Sequence, residues 1–551
     1  MIEKNIKRIT FFKELLLSCV FAWGCMTIAA QDDAVKVDVS LHTQVSSNDI
    51  RPMWLTANEW GRFEQFGHFG MLTELGAQYF IYDEGNFSLD AGVRGLVNVD
   101  ISESVLQEAY LSGNAWFLDF SLGKQQFSPI IYNDELTSGS FLMNSNARPI
   151  PRVTVGIFDY LPLGFTKNWV EIKGGISQGW LNDERVERNN SANDLLLHEK
   201  FAYIRLGNTA VKPYAGLVHS ALYGGTRPNG NKIPVDFWST FMAKGSATLG
   251  GGEETNAAGA HMGMWDFGFN WNTDKADIHL YYQKPFADAS GLKVYNRYDK
   301  DYYLGFLIHP KNIEWLSGVS VEVFRTDHQS GYGIPDPLYP VDYGSHKQGS
   351  IIWMHEINDD LDGFMYEVFG ETRTGWTEDE VSRYLEVELN EGHMYGGRDD
   401  YMNNGSYYNG WVYHGMNMGT ALYHTADKVR RYAEPWEEVD QVYFYNNRVN
   451  GFHIGAEGRI NANLKYQVKS TYTINKGSYG EEFRGRYSWE RTEDYFFSDS
   501  KRQVYSMVEL DWNMPWIKNL SVKGKLAFDV GQLYKSVGGQ MSLTYVPGLN
   551  W

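Results

Sequence analysis

The sequence predicts an all-β protein, a transmembrane antiparallel β-barrel with long extracellular loops and minor helical segments. Three observations carry that expectation. The first thirty residues have the pattern of an export signal, many later segments alternate apolar with polar side chains, and the last eleven residues form an amphipathic stretch ending on an aromatic.

At the amino-terminal end, Lys4, Lys7, Arg8 and Lys13 precede LLLSCVFAWGCMTIAA (15–30), which carries no charge and ends in small residues before Gln31. A positive region, an apolar region and a small-residue cleavage zone predict a secretory signal peptide over 1–30, removed near Ala30. The apolar stretch is shorter than the ~20 residues a spanning helix needs, which argues against an anchor. Trp23, two places before Cys25, argues against a lipoprotein signal. Both cysteines, Cys19 and Cys25, fall inside the signal, so the mature chain has no thiol, disulfide or cysteine metal site.

Composition narrows the class of the remaining chain, 31–551. The 56 Gly, 36 Tyr, 30 Phe and 18 Trp suit many strands joined by tight turns, with rings at two membrane interfaces. Mean hydropathy is −0.41. No apolar run after residue 31 is long enough for a spanning helix, so only a barrel could cross a bilayer. Lys and Arg total 49 against 68 Asp and Glu, a net charge of −19, and loss of the signal's four basic and two acidic residues makes it −21. A basic nucleic-acid groove is not indicated.

Period-two segments recur along the chain. Over 35–45, Val35, Val37, Val39 and Leu41 oppose Lys36, Asp38, Ser40 and His42. The same alternation runs through 87–99, 115–123, 319–324, 464–474, 504–512 and 520–530, where Lys523, Lys525 and Asp529 oppose Val522, Leu526, Phe528 and Val530. Sandwich strands are commonly about 5 or 6 residues, whereas membrane strands take ~9 to 11, and several segments here reach eleven or more. A barrel of 16 to 20 strands would leave about 26 to 33 residues per strand and connection, a surplus that predicts long loops or lumen-occluding segments. No Pro/Ser-rich linker divides the chain. The non-alternating stretches 227–244, 327–349 and 391–418 are expected as long extracellular loops, some folded inward, with a short helix over 238–244. Met541, Leu543, Tyr545, Leu549 and Trp551 against Ser542, Thr544, Gly548 and Asn550 predict the closing strand over 541–551. That end also resembles the signal read by barrel assembly machinery.

The stretches LTSGSFLMNSNARPIPRV (136–153), LHEKFAYIRLG (197–207), YAGLVHSALYGG (214–225), NAAGAHMGMWDFG (256–268), YYQKPFADASGL (281–292) and GGRDDYMNNGSYYNGWVYHGMNMG (396–419) resemble, in order, those of the capsule assembly protein Wzi family. The resemblance implies an outer-membrane barrel of about 18 strands that acts as a lectin holding capsular or extracellular polysaccharide at the surface of a Gram-negative cell. It implies outer-membrane lipid and polysaccharide export machinery as partners, and no catalysis. Known members carry helices packed at the periplasmic side, whereas here a strand-like segment begins at Val35. Glycan specificity does not transfer. The alternative is an outer-membrane porin or oligosaccharide channel, which residue spacing alone does not separate from a lectin.

Carbohydrate sites combine aromatic faces with planar polar groups. Arg398, Asp399, Tyr401, Asn403, Asn404, Tyr407, Tyr408 and Trp411 crowd such groups into fourteen residues and form the candidate polysaccharide site, although a turn flanked by girdle aromatics reads the same way. Pro149 and Pro151 forbid a regular central strand, and Arg148 and Arg152 are expected to brace an inward-folded segment against lumen carboxylates. His198, Glu199, Lys200 and Arg205 are expected to form a lumen-facing ion-pair ladder. Catalytic residues are not expected: Asp399-Asp400 and Asp327-His328 could echo a barrel protease, but such dipeptides arise easily among 68 acidic residues, and His219 and Ser220 point to opposite faces of a strand. No HExxH pattern occurs, and Asp299 with Asp301 is too sparse for a calcium loop, so no metal or cofactor is expected.

Overall fold

A strand in hydrocarbon must satisfy every backbone N–H and C=O within the sheet, so the alternating segments have to close on one another. The computed structural model describes residues 34–99, 103–131, 133, 135–244, 259–287, 300–330, 360–381, 383–384, 400–484 and 492–547. The predicted signal, Cys19, Cys25, Arg398, Asp399 and the terminal residues 548–551 lie outside them. The wall begins with β1 (Val35–Ser46), β2 (Phe69–Glu84), β3 (Phe87–Asn98), β4 (Val105–Ala115), β5 (Leu118–Lys124), β6 (Arg152–Pro162), β7 (Val170–Leu181), β8 (Leu195–Leu206) and β9 (Val211–Tyr223). It continues with β10 (Ala260–Asn272), β11 (Ala276–Ala287), β12 (Tyr302–Pro310) and β13 (Gly318–Arg325). Two small ribbons follow, β14 (Val412–Tyr413) with β15 (Met416–Asn417) and β16 (His424–Thr425) with β17 (Phe444–Asn446). The wall is completed by β18 (Val449–Asn461), β19 (Leu464–Asn475), β20 (Lys501–Asn513), β21 (Leu520–Gly531) and β22 (Ser536–Tyr545).

Eighteen strands form one antiparallel sheet, and β22 pairs with β1 from Val39↔Tyr545 to Ser46↔Gly538, which closes the barrel. The closing strand therefore lies about five residues earlier than the alternation over 541–551 placed it; Met541 and Leu543 face out and Ser542 faces in, as that alternation required. Segments 35–45, 87–99, 319–324, 464–474, 504–512 and 520–530 fall on β1, β3, β13, β19, β20 and β21. Segment 115–123 is corrected: Trp116 and Phe117 form a tight turn between β4 and β5, which no Gly or Pro marks.

Side chains obey the pleat. On β21, Leu526, Phe528 and Val530 are exposed on the outer wall while Lys525, Ala527 and Asp529 are buried in the lumen. Short connections gather at one end, including Gly85-Asn86, where Gly85 takes φ +63°. Exposed Trp116, Phe165, Trp169, Trp271, Trp315 and Trp516 ring that end as an aromatic girdle. Long connections gather at the other end, and they carry α-helices at Phe237–Phe241, Leu361–Phe369, Ala426–Val429 and Tyr479–Glu482. The first of these is the helix expected over 238–244, starting one residue earlier and ending three residues earlier, with Asp236 Oδ1 accepting from Ser239 N at 3.0 Å. β1 begins at Val35, directly at the start of the described chain. The architecture is that of an outer-membrane barrel, and no described helix is long and apolar enough to cross a membrane.

Leu526 sits mid-strand on the outer wall, 62% exposed. Leu526→Arg is expected to destabilise the protein by about 2–4 kcal/mol in urea-dependent folding into vesicles, the cost of a guanidinium near the bilayer midplane. A loss below about 0.5 kcal/mol would place this face outside the membrane.

Candidate functional site

An eighteen-stranded wall is too wide for its own side chains to fill, and here three connections turn inward to do so. They are 47–68 between β1 and β2, 125–151 between β5 and β6, and residues 400–448 of the β13–β18 connection. Pro149 and Pro151 sit where the second of these leaves the sheet before β6, so that segment stays irregular. The three segments share one apolar core. Phe141 packs edge-on against Tyr401 at 5.2 Å and reaches Tyr303 of the wall at 6.0 Å. Trp411 Nε1 donates to Leu142 O at 2.8 Å, Asn144 N donates to Met418 O at 2.7 Å, and Asn146 Nδ2 donates to Asn417 O at 2.9 Å. Trp54, Phe141, Tyr401, Trp411 and Tyr413 are each at most 2% exposed.

Charge fastens this plug to the wall. Lys525 of β21 bridges Glu59 of the first plug segment at 2.6 Å and Glu509 of β20 at 3.2 Å. Arg62 pairs with Glu59 and reaches Glu74 of β2 at 3.3 Å; Glu74 in turn pairs with Arg94 of β3, which holds Asp38 at 2.7 Å and Glu108 at 2.9 Å. Burial would raise the Glu59 carboxyl, but the Lys525 and Arg62 cations outweigh it and hold the group well below the usual carboxylate range. Hydrogen bonds and a cation–ring contact add to these. Asp529 Oδ2 accepts from Met53 N at 2.8 Å and Tyr534 OH at 2.9 Å, Glu322 accepts from Ser138 N at 2.6 Å and from Tyr281 OH, and His453 Nε2 donates to Leu136 O at 2.8 Å. Lys469 Nζ stands 4.4 Å over the Trp54 ring.

The structure redistributes the expected polysaccharide cluster. Tyr401, Tyr408 and Trp411 are plug core and present no free ring face. Tyr408 OH donates to Asp440 at 2.8 Å. Asn403 is a brace, its Oδ1 accepting from Tyr443 N and Phe444 N and its Nδ2 donating to Phe444 O, while Asn404 Oδ1 accepts from Ser406 N at 2.8 Å. Tyr407 lines a cavity of about 280 Å³ at the long-loop rim, together with Tyr223, Arg227, Lys232, Asp236 and Ser406. Arg227 ties that rim together, donating to the carbonyls of Asn190, Ser191 and Ser406 and lying 5.9 Å from the Tyr407 ring. Arg227 and Lys232 had no place in the sequence-predicted cluster because the connection between β9 and β10 that carries them is remote from residue 407 in the chain.

Of the arginines, Arg152 meets the wall carboxylate Glu199 at 3.4 Å as expected. Arg148 instead reaches Glu64 of the first plug segment at 3.4 Å, so it joins plug to plug. The expected ladder on β8 is corrected. Glu199 and Arg205 face the lumen, where Arg205 pairs with Glu171 at 2.5 Å, but His198 and Lys200 face outward, because consecutive strand residues alternate. His219 and Ser220 likewise point to opposite sides, and Asp327 is held by Arg325 at 2.7 Å and Lys476 at 2.5 Å. Among the described residues no group of three or more His, Cys, Asp or Glu is placed to hold a metal ion.

No protein-family model matches the chain, and no curated protein sequence matches it. Among solved structures it is similar to Wzi from Escherichia coli, described as an outer-membrane protein involved in group 1 capsule assembly and a carbohydrate-binding β-barrel, at 12% identity and TM-score 0.49 over 95% of this chain and 87% of that one. It is also similar to OccK5 (OpdH) of Pseudomonas aeruginosa, at 8% identity and TM-score 0.43 over 93% and 97% of the two chains. The outer membrane protein opdK of the same organism matches at 9% identity and TM-score 0.41 over 93% and 98%.

Lys525→Met removes the cation that Glu59 and Glu509 share, leaving Glu59 to Arg62 and Glu509 to Lys523, and is expected to cost about 1.5–3 kcal/mol of stability and to speed hydrogen exchange over residues 53–66. Unchanged exchange there would show that the plug does not depend on this latch. Because Glu59 is held below its ordinary value of 4.5, its contribution is full at neutral pH and is lost as the pH falls below that value. The urea midpoint of the parent is therefore expected to drop across that acid range, and the drop to shrink in Glu59→Gln.

Proposed function

We propose that this protein is a non-catalytic outer-membrane barrel of the Wzi kind, which assists the assembly or attachment of capsular or extracellular polysaccharide at the cell surface. The observation that carries this reading is the plug. Three segments of the chain fill the lumen with aromatic core and are fastened to the wall by paired charges, an arrangement suited to a platform at the rim and unsuited to a standing aqueous pore.

The rim cavity supplies the chemistry a weak sugar site uses. The Tyr223 and Tyr407 rings bound it, and Arg227 and Lys232 offer cationic donors, in a volume suited to about one sugar ring. A single such contact is weak. Many copies of the barrel along one polymer convert weak contacts into firm retention by avidity. A channel reading would need the plug to leave the lumen, against the ion pairs that fasten it.

Deleting the protein is expected to release polysaccharide into the medium while synthesis continues. Lys232→Glu with Tyr407→Ala is expected to lower cell-associated polymer several-fold with barrel assembly intact, measured as bound against released polymer. Unchanged cell-associated polymer after deletion would overturn the proposal, and unchanged polymer in the double variant alone would move the contact away from this cavity.

A further inference from the structure

Most of the outer wall is apolar, but one region near the long-loop end is not. Strand register places Gln178 of β7, His198 and Lys200 of β8, His219 of β9 and His261 of β10 on outward positions, with His198 opposite Gln178 and Lys200 opposite both Ile176 and His219. A charged group on a lipid-facing position is costly unless it lies near the interface and finds a partner. Ile176 on β7 is exposed to the outside at the level of Lys200, and Trp180, one outward position above Gln178, is exposed as well. The polar region thus lies beside the upper margin of the apolar belt, not above it.

The β9–β10 connection covers this region. It rises to the rim, where Thr226 bridges Asn193 and Lys232, and then descends along the outside of the wall. The rings of Phe237 and Phe241 pack on His198 at 5.7 Å and 5.0 Å, and Lys200 Nζ stands 4.0 Å from the centre of the Phe241 ring. Beneath them His219 Nε2 and His261 Nδ1 share a hydrogen bond of 3.0 Å. The other face of this strap is apolar and open: Trp238 is 71% exposed, and Val235 and Met242 are exposed beside it. A tryptophan so exposed, continuous with a lipid-facing wall, suits the headgroup level of a bilayer. No carboxylate among the described residues pairs with Lys200.

We propose that the strap over residues 235–244 is embedded in the outer leaflet and that Lys200, at its edge, binds the phosphate of an anionic outer-leaflet glycolipid. The strap screens the histidines from acyl chains with Phe237 and Phe241 and turns Trp238 toward the lipid. The ammonium group then meets phosphate at the boundary where lipid headgroups begin, and the contact sets the rotational position of the barrel within the leaflet.

The test uses the full-length protein in vesicles of phosphatidylcholine with and without lipid A. A nitrobenzoxadiazole dye on Trp238→Cys should be quenched by headgroup-proximal spin-labelled lipid and shielded from aqueous iodide. Lipid A retained through purification should fall about fivefold in Lys200→Gln, the effect of one lysine at an anionic surface, and be restored in Lys200→Arg. Quenching of the dye by iodide alone, or equal lipid A retention in the parent and Lys200→Gln, would overturn the proposal.

Discussion

The pairing of β22 with β1 is the constraint on which the rest of the molecule depends. In a bilayer an unpaired strand edge would leave a row of N–H and C=O groups without partners, each costing several kcal/mol, so the sheet must close. Closure fixes the register of every strand, and register assigns each residue to lipid or lumen with no freedom left over. It is why Lys525 and Asp529 can be buried while Leu526 and Phe528 beside them are exposed.

Closure at eighteen strands creates a second problem, a lumen wider than wall side chains can fill. The protein answers it with its own chain. The three plug segments bring large rings, and the wall meets them with charged groups that would otherwise be stranded in a narrow space. Lys525 without Glu59 would keep only Glu509 of the wall, and Glu74 without Arg62 and Arg94 would be a buried carboxylate without its arginine partners. The plug and the lumen charges therefore make sense only together. The consequence for function is that the accessible surface lies at the rim, where Arg227 fastens the β9–β10 connection to the plug and a cavity remains beside Tyr407.

The barrel was legible because its strand signal is local. Alternation over eleven or more residues placed β1, β3, β19 and β21 nearly to the residue, and surplus chain length pointed to occluding segments before any contact was visible. The Trp116-Phe117 turn was hidden because its residues continue the apolar pattern of the strands they join. The plug was harder to read for a different reason. Trp411 packs on Leu142, 269 residues away, and such a contact leaves no periodic trace. A ring destined for core and a ring destined for sugar look alike in sequence, so Tyr401, Tyr408 and Trp411 read as a binding cluster until their burial was known. The displacement of His198 and Lys200 from lumen to outer wall had a local cause, since neighbouring residues on one strand cannot share a face.

The central claim is that the lumen is closed by the protein's own chain. Single-channel recording of the purified protein in planar bilayers at neutral pH tests it most directly. The account predicts insertion without a steady open level. A large, stable conductance from the intact chain would contradict it and would make the barrel a channel.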